Sequence, residues 1–466
     1  MIETIDILDV LTNISNEEVF TPPKAVNWML DMLPVEYWQD ADILWCDPVA
    51  KTGVFLREIY VRLMKGLVSK IPNEDERHNY ILGYMLCGYG TSDIGARTAR
   101  RTLYGFQTDD KGNTIVGVPP REGMIWSKSF REDNKMLQYV TEKRKKAALA
   151  APKRTIFVGN PPYQEKDGGY GVSARPLYHL FVEKALETGD EVLFVIPARW
   201  YAGGKGLDTF RKEALTSKKL VALRDFQNAG DVFPAVDIAG GVCFAHWKRD
   251  HNGSCAYTDT HGIKSTRNLE DYDIFIRDTR SLSILEKVLK KSKRFMEDVV
   301  SSRKPFGLPT NFLDFSSKSQ GTIPCLTKDG IKYIKLEKVT QNIDSMDKWK
   351  VVCTAATPAS NHPDADGRRK ILAKVEILPP GTICLETYLV VKTSDNEEEA
   401  RNLKNYMLTK FFRACMNFRL ISHHISRDIF RWVPYLDYTK SYTDDDLYKL
   451  YDLTREEVEH IESTIR

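Results

Sequence analysis

The side chains best suited to chemistry in this chain stand together in the motif Asn160-Pro161-Pro162-Tyr163. Residues 155–159, directly before it, form a short apolar run rich in β-branched and aromatic residues, which predicts a buried strand. Two consecutive prolines fix the backbone and lack N–H groups, so the motif offers an amide and carbonyl oxygens as acceptors. Because ligands in open α/β sheets bind at the carboxyl ends of the strands, the motif suits a planar amine, with Tyr163 stacked on its ring.

Two strand–loop–helix units precede this motif and are typical of a nucleotide-binding sheet. In the first unit, a strand ends at Asp47 and Pro48, and Gly53 lies in the loop before a helix. An acid there can accept from a cationic amino group, and a glycine lets the backbone approach a ligand closely. In the second unit, Asp93 follows the strand, where such folds hydrogen-bond ribose hydroxyls. An equally supported interpretation is that Asp93 caps the following helix.

Three further segments carry weaker signals. Thr21 followed by Pro22 is a helix-start signal, and the apolar spacing up to Leu33 is helical, which by itself indicates only a capped helix. Phe233 could be an ordinary core residue, but it precedes a proline in a loop, where we expect an aromatic to be more exposed. The loop 199–206 combines aromatics, glycines and cations after another predicted strand, so it could meet a nucleic-acid backbone.

The composition describes a globular protein with more than one domain. A chain of 466 residues is too long for one typical core, and a net charge of +3 allows a nucleic-acid ligand without indicating one. The eight cysteines are scattered without a CxxC pair, so we expect reduced, buried thiols and no metal site. The sequence has no apolar run long enough to span a bilayer and no signal-like N-terminus, which favours a cytoplasmic protein.

The tail of the chain is predicted to contain its own core and helices. A helix is expected from Glu397 to about Phe418, with an aromatic stripe that is more typical of core than of base stacking. Helix starts are predicted at Thr443 and at Thr454, the latter with a capping box.

The order of the motifs is more specific than any one of them. Thr-Pro-Pro before a helix, Asp-Pro and Thr-Gly in the first loop, an acid after the second strand and Asn-Pro-Pro-Tyr after the fourth precede a long separate tail. In this order they resemble the gamma-class S-adenosylmethionine-dependent DNA adenine-N6 methyltransferases of the restriction-modification type. The resemblance covers most of residues 17–247 and extends more loosely into the tail.

This resemblance implies an α/β fold, with a Rossmann-like class I methyltransferase sheet flanked by helices and followed by a mixed α+β target recognition domain. It places the S-adenosylmethionine-dependent catalytic domain at residues 1–255 and a helical connector at 256–295. A DNA-binding target recognition domain with C-terminal helices would occupy residues 296–466.

The resemblance also assigns residues to the cofactor and to the substrate base. The implied cofactor-binding residues are Thr21, Pro22, Asp47, Pro48, Gly53 and Asp93. The implied catalytic residues are Asn160, Pro161, Pro162 and Tyr163. Asn160 and the Pro161 carbonyl would accept from the adenine amino group, while Tyr163 and Phe233 would stack on the flipped base.

Two departures from the family pattern concern the cofactor side. Lys51 stands where the family has a glycine in the first loop, and no acid is recognisable after the third strand, where the family holds the cofactor's adenine. These departures motivate one alternative, a catalytically inert DNA-binding relic. A second alternative keeps the methyl transfer and changes the acceptor to RNA adenine or a protein glutamine, since Asn-Pro-Pro-Tyr suits any planar amine or amide.

The implied activity is site-specific methylation of a flipped-out adenine at N6, as the modification component of a restriction-modification or related phage-defence system. The implied partners are S-adenosylmethionine, double-stranded DNA with a specific recognition sequence, and a separately encoded restriction endonuclease. The resemblance implies no membrane and a bacterial or phage-encoded protein associated with the nucleoid.

Overall fold

The computed structural model describes residues 20–105, 124–132, 135–165, 175–201, 203–234, 236, 238, 240–358, 364, 366–420 and 423–466. The chain forms two compact units, Met1–Arg277 and Asp278–Arg466. The predicted catalytic domain ended at residue 255, yet the strands at 255–267 pair within the sheet of the first unit. The first compact unit therefore extends to Arg277. The boundaries at 255 and 295, which separate the predicted catalytic, connector and target recognition segments, stay predictions.

Among its described residues, the first unit is built around one sheet of nine strands. Its strands are β1 (Ile43–Asp47), β2 (Leu86–Gly90), β3 (Ile125–Ser127), β4 (Arg154–Gly159), β5 (Glu191–Pro197), β6 (Leu220–Phe226), β7 (Val242–Lys248), β8 (Cys255–Thr258) and β9 (Lys264–Arg267). Its helices are α1 (Pro23–Leu30), α2 (Val54–Gly66), α3 (Glu74–Tyr80), α4 (Asp93–Tyr104), α5 (Lys135–Lys146), α6 (Tyr178–Thr188) and α7 (Asp208–Thr216).

The central strands form where the sequence predicts them. Every residue of β1 and of β5 is buried, because helices cover both faces of a parallel sheet and leave no polar alternation along its strands. The predicted buried strand over residues 155–159 is confirmed as β4, one residue longer at its start.

The strand order is β3-β2-β1-β4-β5-β7-β6-β8-β9. The first five strands run parallel, and β7 lies antiparallel between β5 and β6. Strands β2 and β3 follow β1 on one side of the sheet, whereas β4 and β5 lie on the other side of β1. The direction in which strands are added therefore reverses between β1 and β4. Ligands of doubly wound sheets bind outside the carboxyl ends at such a reversal, which here is where Asp47 and Asn160 lie.

The second unit contains two three-stranded sheets and five helices among its described residues. The strands are β10 (Thr322–Thr327), β11 (Gly330–Lys335), β12 (Trp349–Thr354), β13 (Val375–Leu378), β14 (Ile383–Cys384) and β15 (Tyr388–Ser394). The helices are α8 (Thr279–Lys291), α9 (Glu397–Met407), α10 (Lys410–Asn417), α11 (Asp444–Leu450) and α12 (Arg455–Thr464). The sheets are β11-β10-β14 and β13-β12-β15.

The helix predicted from Glu397 to about Phe418 is two helices, which corrects the sequence expectation. Thr409 interrupts it, because its hydroxyl accepts from the Phe412 N–H at 3.2 Å and begins α10 anew. The expected burial of the aromatic stripe is confirmed. The predicted helix starts are also confirmed: Thr443 and Thr454 each form a capping box at α11 and α12.

All eight cysteines are free and buried. Within the ranges that the structure describes, no helix is long and apolar enough to cross a membrane. Over the same ranges, no group of three or more His, Cys, Asp or Glu side chains is placed to hold a metal ion.

Candidate active site

A buried hydrogen bond joins Asn160 to Thr21, residues that lie 139 positions apart in the sequence. The Asn160 Nδ2 donates to the Thr21 hydroxyl at 3.1 Å, and both residues are at most 6% exposed. The position of Thr21 suggested that it caps α1, but Pro22 is the N-cap of this helix. The Thr21 hydroxyl instead orients the Asn160 amide, turning its nitrogen toward α1 and its oxygen away.

Asp47 is packed against the end of β4. Its Oδ1 accepts from the Val49 N–H at 2.9 Å, and a Cβ on Gly159 would lie only 2.9 Å from the same oxygen. The carboxyl is 2% exposed, and burial raises the pKa of Asp47 to about 7, opposed by the Val49 hydrogen bond and the positive charge of Lys51. Asp47 is therefore a carboxyl that changes charge near neutral pH and gains from a cationic ligand.

The loop after β1 is shaped by Gly53, the N-cap of α2, which adopts a φ of 77°. A Cβ on Gly53 would lie 2.9 Å from the backbone of Ala99 in α4, so the loop needs glycine both for conformation and for close packing. The N-terminus of α2 borders the cavity, and the first N–H groups of a helix have no partner within the helix itself.

A narrow cavity of about 10 Å³ lies at these strand ends. It is lined by Phe20, Thr21, Asp47, Val49, Lys51, Thr52, Gly53, Val54, Phe55 and Asn160. The structure thus brings together four residues that the sequence assigned to the site from three distant segments. Pro22 and Pro48 adjoin lining residues without lining the cavity themselves.

Asp93 lies apart from this cavity, at the carboxyl end of β2. It is the exposed first residue of α4, and its Oδ1 accepts a short hydrogen bond from the Ser127 hydroxyl at the end of β3. The alternative that Asp93 caps α4 is wrong, because Ser92 is the N-cap and its hydroxyl accepts from the Gly95 N–H at 3.1 Å. The role of Asp93 toward a ribose stays a prediction.

Tyr163 and Phe233 pack in one hydrophobic cluster, although they differ in burial. Tyr163 is partly exposed, and burial of its hydroxyl raises its pKa, against the opposing effect of a hydrogen bond with Asn160, so the phenol stays protonated. Phe233 is only 1% exposed, and the expectation of a more exposed ring is wrong. Its N–H bonds the Ala229 carbonyl at 2.8 Å, a short helical turn that directs the ring into the core.

The prolines of the motif hold the chain extended between β4 and the next segment. Pro161 is buried and Pro162 partly buried. Beyond them, the Tyr163 carbonyl accepts from the Leu177 N–H at 3.1 Å, and the Glu165 N–H donates to the Arg175 carbonyl at 2.9 Å. The ends of the polar loop that begins at Gln164 are therefore tied together, while residues 166–174 lie outside the described ranges.

Two expectations about other segments change. Trp200 and Tyr201, expected in a loop that meets nucleic acid, are fully buried, and the Tyr201 hydroxyl donates to Asp225 at 3.0 Å. Lys51, noted in the sequence only as a departure from a family pattern, lines the cavity. Its position between Asp47 and Gly53 was the available signal, since every residue of that short loop borders the same strand end.

Comparisons with known proteins identify the family of the chain. A family model described as Eco57I restriction-modification methylase matches residues 86–233. A Mycoplasma pneumoniae protein (strain ATCC 29342 / M129 / Subtype 1), described as an uncharacterized adenine-specific methylase, is 30% identical over 302 residues. That match covers 54% of this chain and 72% of the relative.

Two solved structures also resemble the chain. The Type IIL restriction-modification enzyme MmeI, in complex with DNA, matches with a TM-score of 0.49 and 12% identity, over 89% of this chain and 65% of that one. A nuclease-deletion mutant of the Type ISP enzyme LlaGI, with a DNA substrate mimic, matches with a TM-score of 0.49 and 11% identity, over 88% and 45%. This chain therefore spans less than two thirds of either enzyme.

A doubly wound α/β sheet with Asn-Pro-Pro-Tyr beside a cavity at its switch point defines a methyltransferase of the Rossmann-like class. The chain belongs to the adenine-specific methylases of the Eco57I restriction-modification family. Members of such a family act with a methyl-donor cofactor.

Proposed function

We propose that this protein transfers a methyl group from S-adenosylmethionine to the N6 amino group of an adenine flipped out of double-stranded DNA. It would act at a specific recognition sequence, as the modification component of a restriction-modification or related phage-defence system. The observation that carries the proposal is the Asn160–Thr21 hydrogen bond, which fixes the amide of the Asn-Pro-Pro-Tyr motif at the wall of the cavity that contains Asp47.

The cavity fits the amino-acid end of S-adenosylmethionine by charge. The buried carboxyl of Asp47 is placed to accept from an ammonium group. The N-terminus of α2, a helix of 13 residues, directs N–H groups and the positive end of its dipole toward the same space, which favours a carboxylate. Asp93, exposed at the end of the neighbouring strand, would bind the ribose hydroxyls, while Pro22 and Pro48 would shape the backbone of the site.

The transfer itself needs acceptors for the adenine amino group. When bound, the cofactor supplies a methyl group that its sulfonium makes electrophilic. The adenine amine is a weak nucleophile because its lone pair is delocalised into the ring. Hydrogen bonds from the amine to the Asn160 Oδ1 and to the Pro161 carbonyl favour the sp³ geometry and the positive charge that develop as it attacks. Placing the amine in line with the methyl group supplies much of the remaining acceleration.

The adenine must leave the duplex to reach this corner, which costs a few kcal/mol of unstacking. Tyr163 is partly exposed beside Asn160 and would stack on the extruded base, offsetting about 1–3 kcal/mol. We assign Phe233 to packing within the same cluster, because its ring is buried. Stacking, rather than a metal or a covalent enzyme intermediate, would hold the base.

The second unit would supply target recognition. Among its described residues it contains a cavity of about 560 Å³, whose lining includes Arg303, His424 and Arg427 together with Glu386, the ion-pair partner of Arg303. Basic side chains around a concavity favour contact with a polyanion, and groove contacts from such a unit would select the sequence. A restriction endonuclease encoded separately would complete the system.

Methyl transfer from labelled S-adenosylmethionine to unmethylated bacterial DNA, RNA and protein, measured with the full chain, tests the proposal. We expect label in DNA, recovered as N6-methyladenine. Label confined to RNA or to protein glutamine would overturn the DNA assignment. Methylation-aware sequencing of DNA from cells that express the protein would then give the recognition sequence and the modified strand.

The inert-relic alternative makes a different prediction about the cofactor. A relic should bind DNA and fail to bind S-adenosylmethionine, whereas an enzyme should bind both. The grouping of Thr21, Asp47, Gly53 and Asn160 around one cavity supports the enzyme. Isothermal titration calorimetry with the cofactor separates the two.

A further inference from the structure

Lys51 places a positive charge at the cavity, and this charge affects which ligands the cavity prefers. It lies in the loop between β1 and Gly53 and lines the cavity with Asp47 and Asn160. The related enzymes resembled by this chain have glycine there, yet Lys51 is not among the described non-glycine residues with positive φ. The loop therefore accepts a side chain without backbone strain.

The cavity consequently presents one acidic and one basic side chain. Asp47 is a buried carboxyl, and the positive charge of Lys51 acts on it, since it lowers the pKa that burial raises. The loop of Lys51 is also held close to α4, because a Cβ on Gly95 would lie 3.7 Å from the Lys51 carbonyl oxygen. A carboxyl and an ammonium beside one strand end complement the ammonium and carboxylate of an α-amino acid.

We propose that Lys51 binds the α-carboxylate of the cofactor's amino-acid end, so that this protein selects a carboxylate-bearing methyl donor through a side chain. The N–H groups at the start of α2 would contribute beside it, and Asp47 would bind the α-ammonium. This inference rests on the proposed use of S-adenosylmethionine and extends it to the residue that discriminates among related donors.

Two ligands that differ only in the carboxylate test the inference. The first is S-adenosylmethionine and the second is its decarboxylated analogue, each titrated calorimetrically into the full chain. The variants are Lys51→Gln, which removes the charge, and Lys51→Arg, which keeps it. Lys65→Gln is the matched control, because Lys65 is exposed in the last turn of α2 and its replacement changes the net charge equally.

For the wild-type protein we expect S-adenosylmethionine to bind more tightly than the analogue. Lys51→Gln should lower the affinity for S-adenosylmethionine by about 10-fold to 100-fold, as expected for a lost charge-assisted hydrogen bond. Its affinity for the analogue should stay within about 2-fold of the wild-type value. Lys51→Arg should keep most of the preference, and Lys65→Gln should change neither affinity. Unchanged binding of the analogue by Lys51→Gln shows at the same time that the variant is folded.

Equal weakening of both ligands by Lys51→Gln would overturn the inference, because Lys51 would then support the loop or the charge of Asp47. A higher affinity of Lys51→Gln for S-adenosylmethionine would also overturn the inference, because Lys51 would then compete with the cofactor's ammonium group for Asp47. Failure of the proposed function is distinguishable from both results: the wild-type protein would then bind neither ligand.

Discussion

The carboxylate of Asp47 occupies space that a side chain at residue 159 would need. A Cβ on Gly159 would lie 2.9 Å from the Asp47 Oδ1 and 3.4 Å from the Pro48 ring. The last residue of β4 is a glycine because the Asp47 carboxyl occupies the space that a Cβ at this position would need. The two strand ends that border the cavity are therefore coupled by packing as well as by backbone hydrogen bonds.

Gly159→Ala should displace the Asp47 carboxyl, because the added methyl group would meet the Oδ1 that the Val49 N–H holds in place. We expect S-adenosylmethionine affinity to fall at least about 10-fold, with a loss of about 1–3 kcal/mol in the free energy of unfolding. Calorimetry and urea denaturation measure the two effects. Gly83→Ala is the matched control, since a Cβ there would meet nothing within 4 Å. An unchanged affinity in Gly159→Ala would contradict the coupling.

Asn160→Ala should abolish methyl transfer while cofactor and DNA binding stay largely intact. The amide oxygen would act on the amine during the transfer, so its removal should lower kcat by about 100-fold to 1000-fold or more. Single-turnover rates with labelled cofactor, together with separate binding titrations, provide the measurement. Near-normal turnover in this variant would refute the role given to Asn160.

Thr21→Val should have a smaller effect than Asn160→Ala, because it removes only the hydroxyl that orients the amide. A buried Nδ2 without an acceptor costs about 1–3 kcal/mol, so part of the loss should appear as lower stability. In the double variant Thr21→Val/Asn160→Ala, the activity loss should equal that of Asn160→Ala alone, since the two residues act as a unit. Additive losses would show that Thr21 acts on the reaction independently.

The contribution of Asp47 to the stability of the protein without cofactor should decrease as the pH rises from about 4 to about 7. The pKa of Asp47 is raised from 3.8 to about 7 in the folded protein, so over this range the folded state holds a proton that the unfolded state has lost. Deprotonation then favours unfolding, by on the order of 4 kcal/mol at most. Asp47→Asn should flatten this dependence in urea denaturation measured at pH 5 and pH 8.

The control for this pH dependence is Asp250→Asn, which replaces a carboxylate that is 79% exposed. It should leave the difference between pH 5 and pH 8 as in the wild-type protein. The same argument predicts that S-adenosylmethionine binding below pH 7 releases a proton from Asp47, because the cofactor's ammonium group favours the ionised carboxylate. Calorimetry in buffers of different ionisation enthalpy measures that proton.

A truncated chain of residues 1–277 should fold and bind S-adenosylmethionine, while sequence-specific DNA binding is lost. A chain cut after residue 254 should not fold stably. It lacks β8 and β9 and also Arg277, which pairs with the buried Asp225 through two hydrogen bonds of 2.8 Å. Breaking a buried ion pair by removing one partner costs about 3–5 kcal/mol. Circular dichroism, thermal melting and cofactor titration distinguish the two chains, and equal folding would contradict this division.

The sequence alone determined the features that depend on short-range order. Continuous apolar runs predicted the buried strands, because both faces of a parallel sheet are covered, and the prolines of Asn160–Tyr163 predicted a chain that leaves the strand abruptly. Capping residues such as Thr443 and Thr454 predicted helix starts, since the bonds they make span three residues. The order of motifs indicated the family that the comparisons show.

Tertiary structure decided what depends on distant partners. The Thr21 hydroxyl could cap its own helix or bind another segment, and only the folded chain brings Asn160 to it. The burial of Phe233 and Trp200 was missed for the same reason, because a loop sequence does not reveal what packs over it. The grouping of Asp47, Lys51 and Asn160 around one cavity likewise requires β1 and β4 to lie side by side, a pairing set by contacts more than a hundred residues apart.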